Sequence, residues 1–129
     1  MVKVKEIMTR NPLKIEAEKT VHEASTLMAR TKLGSLLVCK EGEIIGILEE
    51  ADIIRNVLGK DLNPDITKVK AVMSIPFIID EERSDDEASD MMSHNHVRHL
   101  AVSSKSKIAG IISMFDLIRP VYLGKTFWV

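Results

Sequence analysis

One cysteine, apolar runs of no more than four residues and no surplus of either charge define this 129-residue chain by what it lacks. Cys39 has no partner for an internal disulfide, and it falls in an apolar run that reads as a buried strand. The expectation is a reduced, inert core thiol. The longest apolar run, residues 36–39, is far below the roughly 20 residues that cross a bilayer. Residues 1–8 alternate charged and apolar side chains without a signal-peptide core, so a cytoplasmic location is expected. Lysine and arginine total 18 against 19 acidic residues, a formal net charge of −1, and the basic residues form no stripe. Nothing here attracts a polyanion over long range, so a nucleic-acid partner is not expected. There is also no P-loop, dinucleotide fingerprint or nucleophile elbow, and no catalytic residues are assigned.

What the chain does have is 45% hydrophobic residues, enough for a real core, and an internal repeat. Shifted by 64 positions, residues 12–57 lie on 76–121 without a gap, and about a third of the pairs are identical. Pro12 meets Pro76, Glu23-Ala24-Ser25 meets Glu87-Ala88-Ser89, Gly46-Ile47 meets Gly110-Ile111, and Asp52 meets Asp116. Upstream, VKEIM (4–8) matches VKAVM (69–73) once one residue is dropped. The repeats divide as residues 1–62 and 63–129, joined by a linker over 60–68.

Each copy carries the same local signals. A short strand follows the proline. Thr20 with Glu23, and Ser84 with Glu87, form capping boxes in which hydroxyl and glutamate satisfy helix N–H groups reciprocally. Behind each cap runs an apolar stripe: Val21, Ala24, Leu27 and Met28, or Ala88, Met91 and Met92. Two strands joined by a short polar turn then predict a hairpin. A second helix follows, with Ile53, Ile54, Val57 and Leu58 on one face and Gly59 as its C-terminal stop. Its counterpart contains Pro120, which is expected to kink or shorten it. One copy alone is marginal for stability, so the two are expected to pack about a pseudo-twofold axis. The fold class is α/β (α+β), two βαββα units with small mixed or antiparallel sheets covered by helices.

The ordered set, MT-x-x-P, a capped helix, a hairpin, then a glycine, two apolar residues and an aspartate opening a helix, resembles the cystathionine-β-synthase (CBS) domain. Two copies in tandem resemble the CBS pair, or Bateman module, over most of the chain. That resemblance implies a free-standing regulatory sensor that binds AMP, ADP, ATP or S-adenosylmethionine between the copies. It further implies a homodimer and an unknown regulated protein, with no cofactor required. A structural adaptor with degenerate clefts is the alternative.

The family signature continues as Gly110-Ile111-Ile112-Ser113-Met114-Phe115-Asp116. By the resemblance, Asp116 accepts both ribose hydroxyls and Ser113 contributes a hydroxyl, facing Thr9, Lys14, Leu33, Gly34 and Ser35 in the main cleft. Ser113 and Asp116 are equally an S-x-x-D capping box. The first copy departs from the pattern. Glu49 replaces the hydroxyl residue beside Glu50 and Asp52, and three carboxylates oppose a phosphate. The second cleft, Asp52 with Ser74, Ile78, Val97, Arg98 and His99, is therefore expected to be weak. Arg98 and His99 are phosphate candidates for either cleft; a surface ion pair explains Arg98 equally well, and a solvated strand edge explains Lys14. His94, His96 and His99 lie close in sequence, but their directions should diverge, and no metal site is assigned. The aromatic end, Tyr122, Phe127 and Trp128, is expected to pack across a dimer.

Overall fold

The structure, a computed structural model, describes residues 1–123, with side chains through 118. The expectation for the aromatic end rests on side chains outside the described ones. Elements run in the order β1 (Thr9–Arg10), β2 (Lys14–Glu16), α1 (Val21–Thr31), β3 (Ser35–Lys40), β4 (Glu43–Glu49) and α2 (Glu50–Asn56). They continue with α3 (Val69–Val72), β5 (Ile78–Asp80), α4 (Asp85–Asn95), β6 (His99–Ser104), β7 (Lys107–Ser113) and α5 (Met114–Leu123).

The chain forms two compact units. One, the first-repeat unit, is Pro12–Pro76; the other, the second-repeat unit, joins Met1–Asn11 to the chain from Phe77 onward. The packing thus divides the chain differently from the sequence repeats, because residues 1–11 leave the copy they precede. Each unit has a mixed sheet. In the first-repeat unit β2 runs parallel to β3 and β3 antiparallel to β4. In the second-repeat unit the order is β1-β7-β6-β5, with β5 parallel to β6 and β6 antiparallel to β7. Even the irregularities repeat: a register shift falls at Val38/Cys39 and again at Val102/Ser103.

The local sequence explains these elements. Thr20 Oγ1 accepts from Glu23 N at 3.1 Å and Glu23 Oε1 accepts from Thr20 N at 3.3 Å, so the first capping box is complete. Ser84 Oγ accepts from Glu87 N at 3.1 Å, but Glu87 Oε2 pairs with Arg83 Nη1 at 2.9 Å. The helical stripes bury Val21, Ala24 and Met28 in one core, and Ala88 and Met92 in the other. Each hairpin turns on two residues at positive φ: Glu41 (50°) and Gly42 (81°), then Lys105 (51°) and Ser106 (67°). Positive φ at both central residues matches the right-handed twist of the strands they join.

Three expectations change. Val57 is fully buried and Ile53 packs on the core, but Ile54 and Leu58 are 62% and 58% exposed. The reason is that α2 ends at Asn56; a short 3-10 turn over Leu58–Lys60 follows and rotates the face. Gly59 lies inside that turn, and the left-handed residue that stops it is Asp61, at φ 55°. Finally, α5 continues to Leu123, so it is not shortened at Pro120. Proline removes one backbone donor there, and the helix carries on beyond it.

The leading segments fix how each unit is built. Val4 and Val69 are fully buried, one in each core. Val4 N donates to Arg83 O (2.7 Å) and Lys5 N to Glu81 O (3.0 Å); in the other unit Val69 N donates to Lys19 O (2.8 Å) and Lys70 N to Ala17 O (3.0 Å). Glu82 receives Lys3 Nζ at 2.9 Å and Lys5 Nζ at 2.8 Å, one on each oxygen. Glu18 likewise receives Lys68 Nζ at 2.7 Å and Lys70 Nζ at 2.6 Å. A Lys-Val-Lys triplet therefore plugs each unit with its valine and grips one glutamate with its lysines. Among the described residues, no helix is long and apolar enough to cross a membrane.

Candidate functional site

Downstream of each plug, the chain crosses the last strand of its unit at the signature glycine. Thr9 pairs with Ile111 and Arg10 with Gly110, antiparallel. In the first-repeat unit Ile47 N donates to Ser74 O, and Ser74 N to Ile47 O, both at 2.9 Å. A Cβ on Gly110 would lie 2.5 Å from Thr9 O; one on Gly46 would lie 2.5 Å from Met73 Sδ and 3.1 Å from Ser74 O. Glycine stands at both positions because a backbone passes directly over it. The signature glycine thus brings a hydroxyl residue, Thr9 or Ser74, to the strand that leads into the last helix of the unit.

The aspartates sit one turn further on. Ser113 ends β7, and its N–H and hydroxyl donate to Asp116 Oδ2 at 2.8 and 3.1 Å. Asp116 N donates back to Ser113 Oγ at 3.2 Å. The capping box is formed, and it uses a single carboxylate oxygen, Oδ2. On the neighbouring strand His99 pairs with Ser113, and opposite residues of an antiparallel pair share a face. Arg98, exposed, accepts from Met114 N through its carbonyl oxygen at 2.8 Å. The register therefore groups Thr9, Arg98, His99, Ser113 and Asp116 in one unit.

Asp52 is held differently. It is 9% exposed, and both its oxygens are engaged: Oδ2 by Glu49 N at 2.8 Å and Oδ1 by Ser74 Oγ at 3.0 Å. Burial pushes its carboxyl above the usual range, while the two hydrogen bonds pull the other way. Across the strand pair Glu49 faces Ser35, which is buried, and Gly34 O accepts from Glu50 N at 3.1 Å. Where the second-repeat unit places Ser113 and Met114, the first-repeat unit places Glu49 and Glu50, and where it places Arg98 and His99 the first-repeat unit has Gly34 and Ser35.

Of the remaining sequence candidates, Lys14 is exposed on β2 opposite Leu37, and Leu33 is 40% exposed before β3. Both belong, with Gly34 and Ser35, to the first-repeat unit. Ile78, 51% exposed on β5, and Val97 belong to the second-repeat unit. Thus Ser74 is brought to Asp52, and Thr9 to the strand of Asp116, within single units. Among the described residues no group of three histidine, cysteine, aspartate or glutamate side chains converges to hold a metal. His96 closes α4 in the left-handed conformation, at φ 55°. Cys39 is buried, its thiol 3.6 Å from Ile15 O, and desolvation raises its pKa.

Sequence reasoning grouped Ser74 with Asp52 through the family resemblance, but it missed the Lys-Val-Lys grip and the direct hydrogen bond from Ser74 to Asp52. The signal for the first was present: the triplets at 3–5 and 68–70, with glutamates at 18 and 82 one repeat apart.

Comparison with known proteins agrees with this architecture. The family described as "CBS domain" matches residues 4–59 and 69–122. A 17.7 kDa uncharacterised protein of Acidianus ambivalens is 31% identical over 121 residues, covering 91% of this chain and 71% of its own. The CBS domain-containing protein YhcV of Bacillus subtilis is 27% identical, covering 91% and 84%. Among solved structures, an uncharacterised conserved protein from Pyrococcus horikoshii superposes with a TM-score of 0.87 at 29% identity, covering 93% of this chain and 92% of that one. The hexameric CBS-CP12 protein of bloom-forming cyanobacteria gives 0.84 at 27% identity, covering 97% and 75%.

Proposed function

The chain belongs to the CBS-domain family, with two copies in tandem, and from that premise we propose that it is a regulatory sensor of an adenosine-containing ligand, held through its ribose by Asp116. One observation carries this reading. Asp116 is oriented at the head of α5 by two hydrogen bonds from Ser113 to Oδ2, and in this reading Oδ1 accepts from a ribose hydroxyl. Ser113, whose hydroxyl already touches the carboxylate, adds a second polar contact. Arg98 supplies positive charge in the same unit, and His99 lies across the strand pair from Ser113. AMP, ADP, ATP and S-adenosylmethionine all present the required paired hydroxyls.

In this reading the module is not an enzyme. The ligand biases a partner protein by binding two arrangements of the chain unequally. Self-association supplies the frame for that readout, and a homodimer is the simplest assembly; the hexameric CBS-CP12 relative supports self-association in this fold. A cytoplasmic location is part of the same proposal, since the ligands are abundant there.

The rival, a structural adaptor, draws on one observation: Asp52 has both oxygens engaged within the protein. Thermal melting with AMP, ADP, ATP and S-adenosylmethionine separates the two. A ligand at a hundredfold excess over its Kd adds about 2.7 kcal/mol, a shift of several degrees. Asp116→Ala should abolish most of that shift. No shift with any of the four at millimolar concentration leaves the adaptor.

A further inference from the structure

We propose that Ser74 acts as an internal competitor that closes the Asp52 site, its hydroxyl occupying the carboxylate oxygen a ribose hydroxyl would otherwise take. This rests on the reading that such aspartates hold ribose. Ser74 Oγ lies 3.0 Å from Asp52 Oδ1, while Glu49 N holds Oδ2 at 2.8 Å, so each carboxylate oxygen already accepts one hydrogen bond inside the protein and the Ser74 hydroxyl stands on the approach to Oδ1. The counterpart of Ser74 is Thr9, which crosses Gly110 as Ser74 crosses Gly46, yet Asp116 Oδ1 takes no hydrogen bond from it. The two residues differ by one methyl group. β-Branching confines the threonine χ1, whereas serine is free to turn its hydroxyl onto the neighbouring carboxylate.

The charge of Glu49 offers a different explanation for a closed site, and the two explanations separate experimentally. Because Ser74 is exposed, Ser74→Ala should leave the fold intact, which melting in the absence of ligand confirms. Hydrogen bonds to ionised groups are strong enough that removing this one should tighten ligand at Asp52 roughly tenfold or more. The measurement is calorimetric titration with AMP, ADP, ATP and S-adenosylmethionine, reading stoichiometry. The expected result is one equivalent for the wild type and two for Ser74→Ala, the second lost when Asp52→Asn is added. Glu49→Ser alone should leave one.

Several results overturn the proposal: two equivalents in the wild type, no added equivalent in Ser74→Ala, or an equivalent gained by Glu49→Ser but not by Ser74→Ala. If the wild type binds none of the four ligands and Ser74→Ala binds one through Asp52, the assignment to Asp116 falls while the competitor role stands.

Discussion

Replacing Gly110 with alanine should expel β1 from its sheet, and it should cost more than the equivalent change at Gly46. Neither glycine has a positive φ, so alanine is compatible with both backbones and the penalty is purely steric. At Gly110 the nearest obstacle to a Cβ is a main-chain oxygen, Thr9 O, at 2.5 Å. An ordinary contact of at least about 3.4 Å requires β1 to retreat by about 0.9 Å, against the pairing of Thr9 and Arg10 and the Val4 plug upstream. At Gly46 the 2.5 Å contact is with Met73 Sδ, the flexible end of a side chain, and the nearest backbone oxygen is at 3.1 Å. Overpacking against a fixed backbone costs about 1–3 kcal/mol, and alanine recovers about 0.4–1 kcal/mol by restricting the unfolded chain. The expected net loss is about 1–2 kcal/mol for Gly110→Ala and about 1 kcal/mol or less for Gly46→Ala. Urea unfolding measures both, and amide exchange at residues 9–11 locates the damage. Equal midpoints, or protection at 9–11 unchanged in Gly110→Ala, would refute the close-approach argument.

The lysine grips predict acid sensitivity. Hydrogen bonds from Lys68 and Lys70 hold Glu18 down to about 2, and those from Lys5 and Lys3 do the same for Glu82, against an ordinary 4.5. A carboxyl depressed by folding contributes its full stabilisation above its unfolded value, so this contribution fades as pH falls from about 4.5 to about 2. Both carboxylates are exposed and therefore screened: the double variant Glu18→Gln, Glu82→Gln should flatten the urea midpoint over that window, and 1 M salt should weaken the wild-type slope. Unchanged slopes would remove the grips from the account. In the second hairpin, Ser106 holds φ 67° where the first has Gly42 at 81°. A non-glycine residue there pays about 1 kcal/mol, so Ser106→Gly should raise stability by about 0.5 kcal/mol after unfolded-state entropy, while Gly42→Ala lowers it.

Local chemistry was legible in the sequence, and exchange between segments was not. Capping boxes, hairpins and apolar stripes are set by neighbours a few residues apart, so Thr20 with Glu23 and Ser113 with Asp116 could be paired directly. The repeat gave the βαββα order and put Asp52 and Asp116 at equivalent helix heads. Repetition cannot say on which copy a leading segment folds, because Val4 and Val69 offer the same valine to equivalent cores. The unit boundaries and the lysine grips followed from that unseen choice. The α2 face was misread for a different reason. Ile53, Ile54, Val57 and Leu58 fit one helical stripe only if the helix continues, and it ends at Asn56. Glu49 warned that the Asp52 site was unlike its twin, and the resemblance placed Ser74 beside Asp52, but nothing in local spacing showed that this hydroxyl, 22 residues later in the chain, would bond the carboxylate directly.

The measurement closest to the centre of this account is titration of the wild type and Asp116→Asn with AMP and with 2′-deoxy-AMP. If the carboxylate holds the ribose, the wild type should favour AMP by about tenfold or more, and Asp116→Asn should bind both weakly and nearly alike. Equal affinity of the wild type for the two nucleotides, or the same preference persisting in Asp116→Asn, would contradict it.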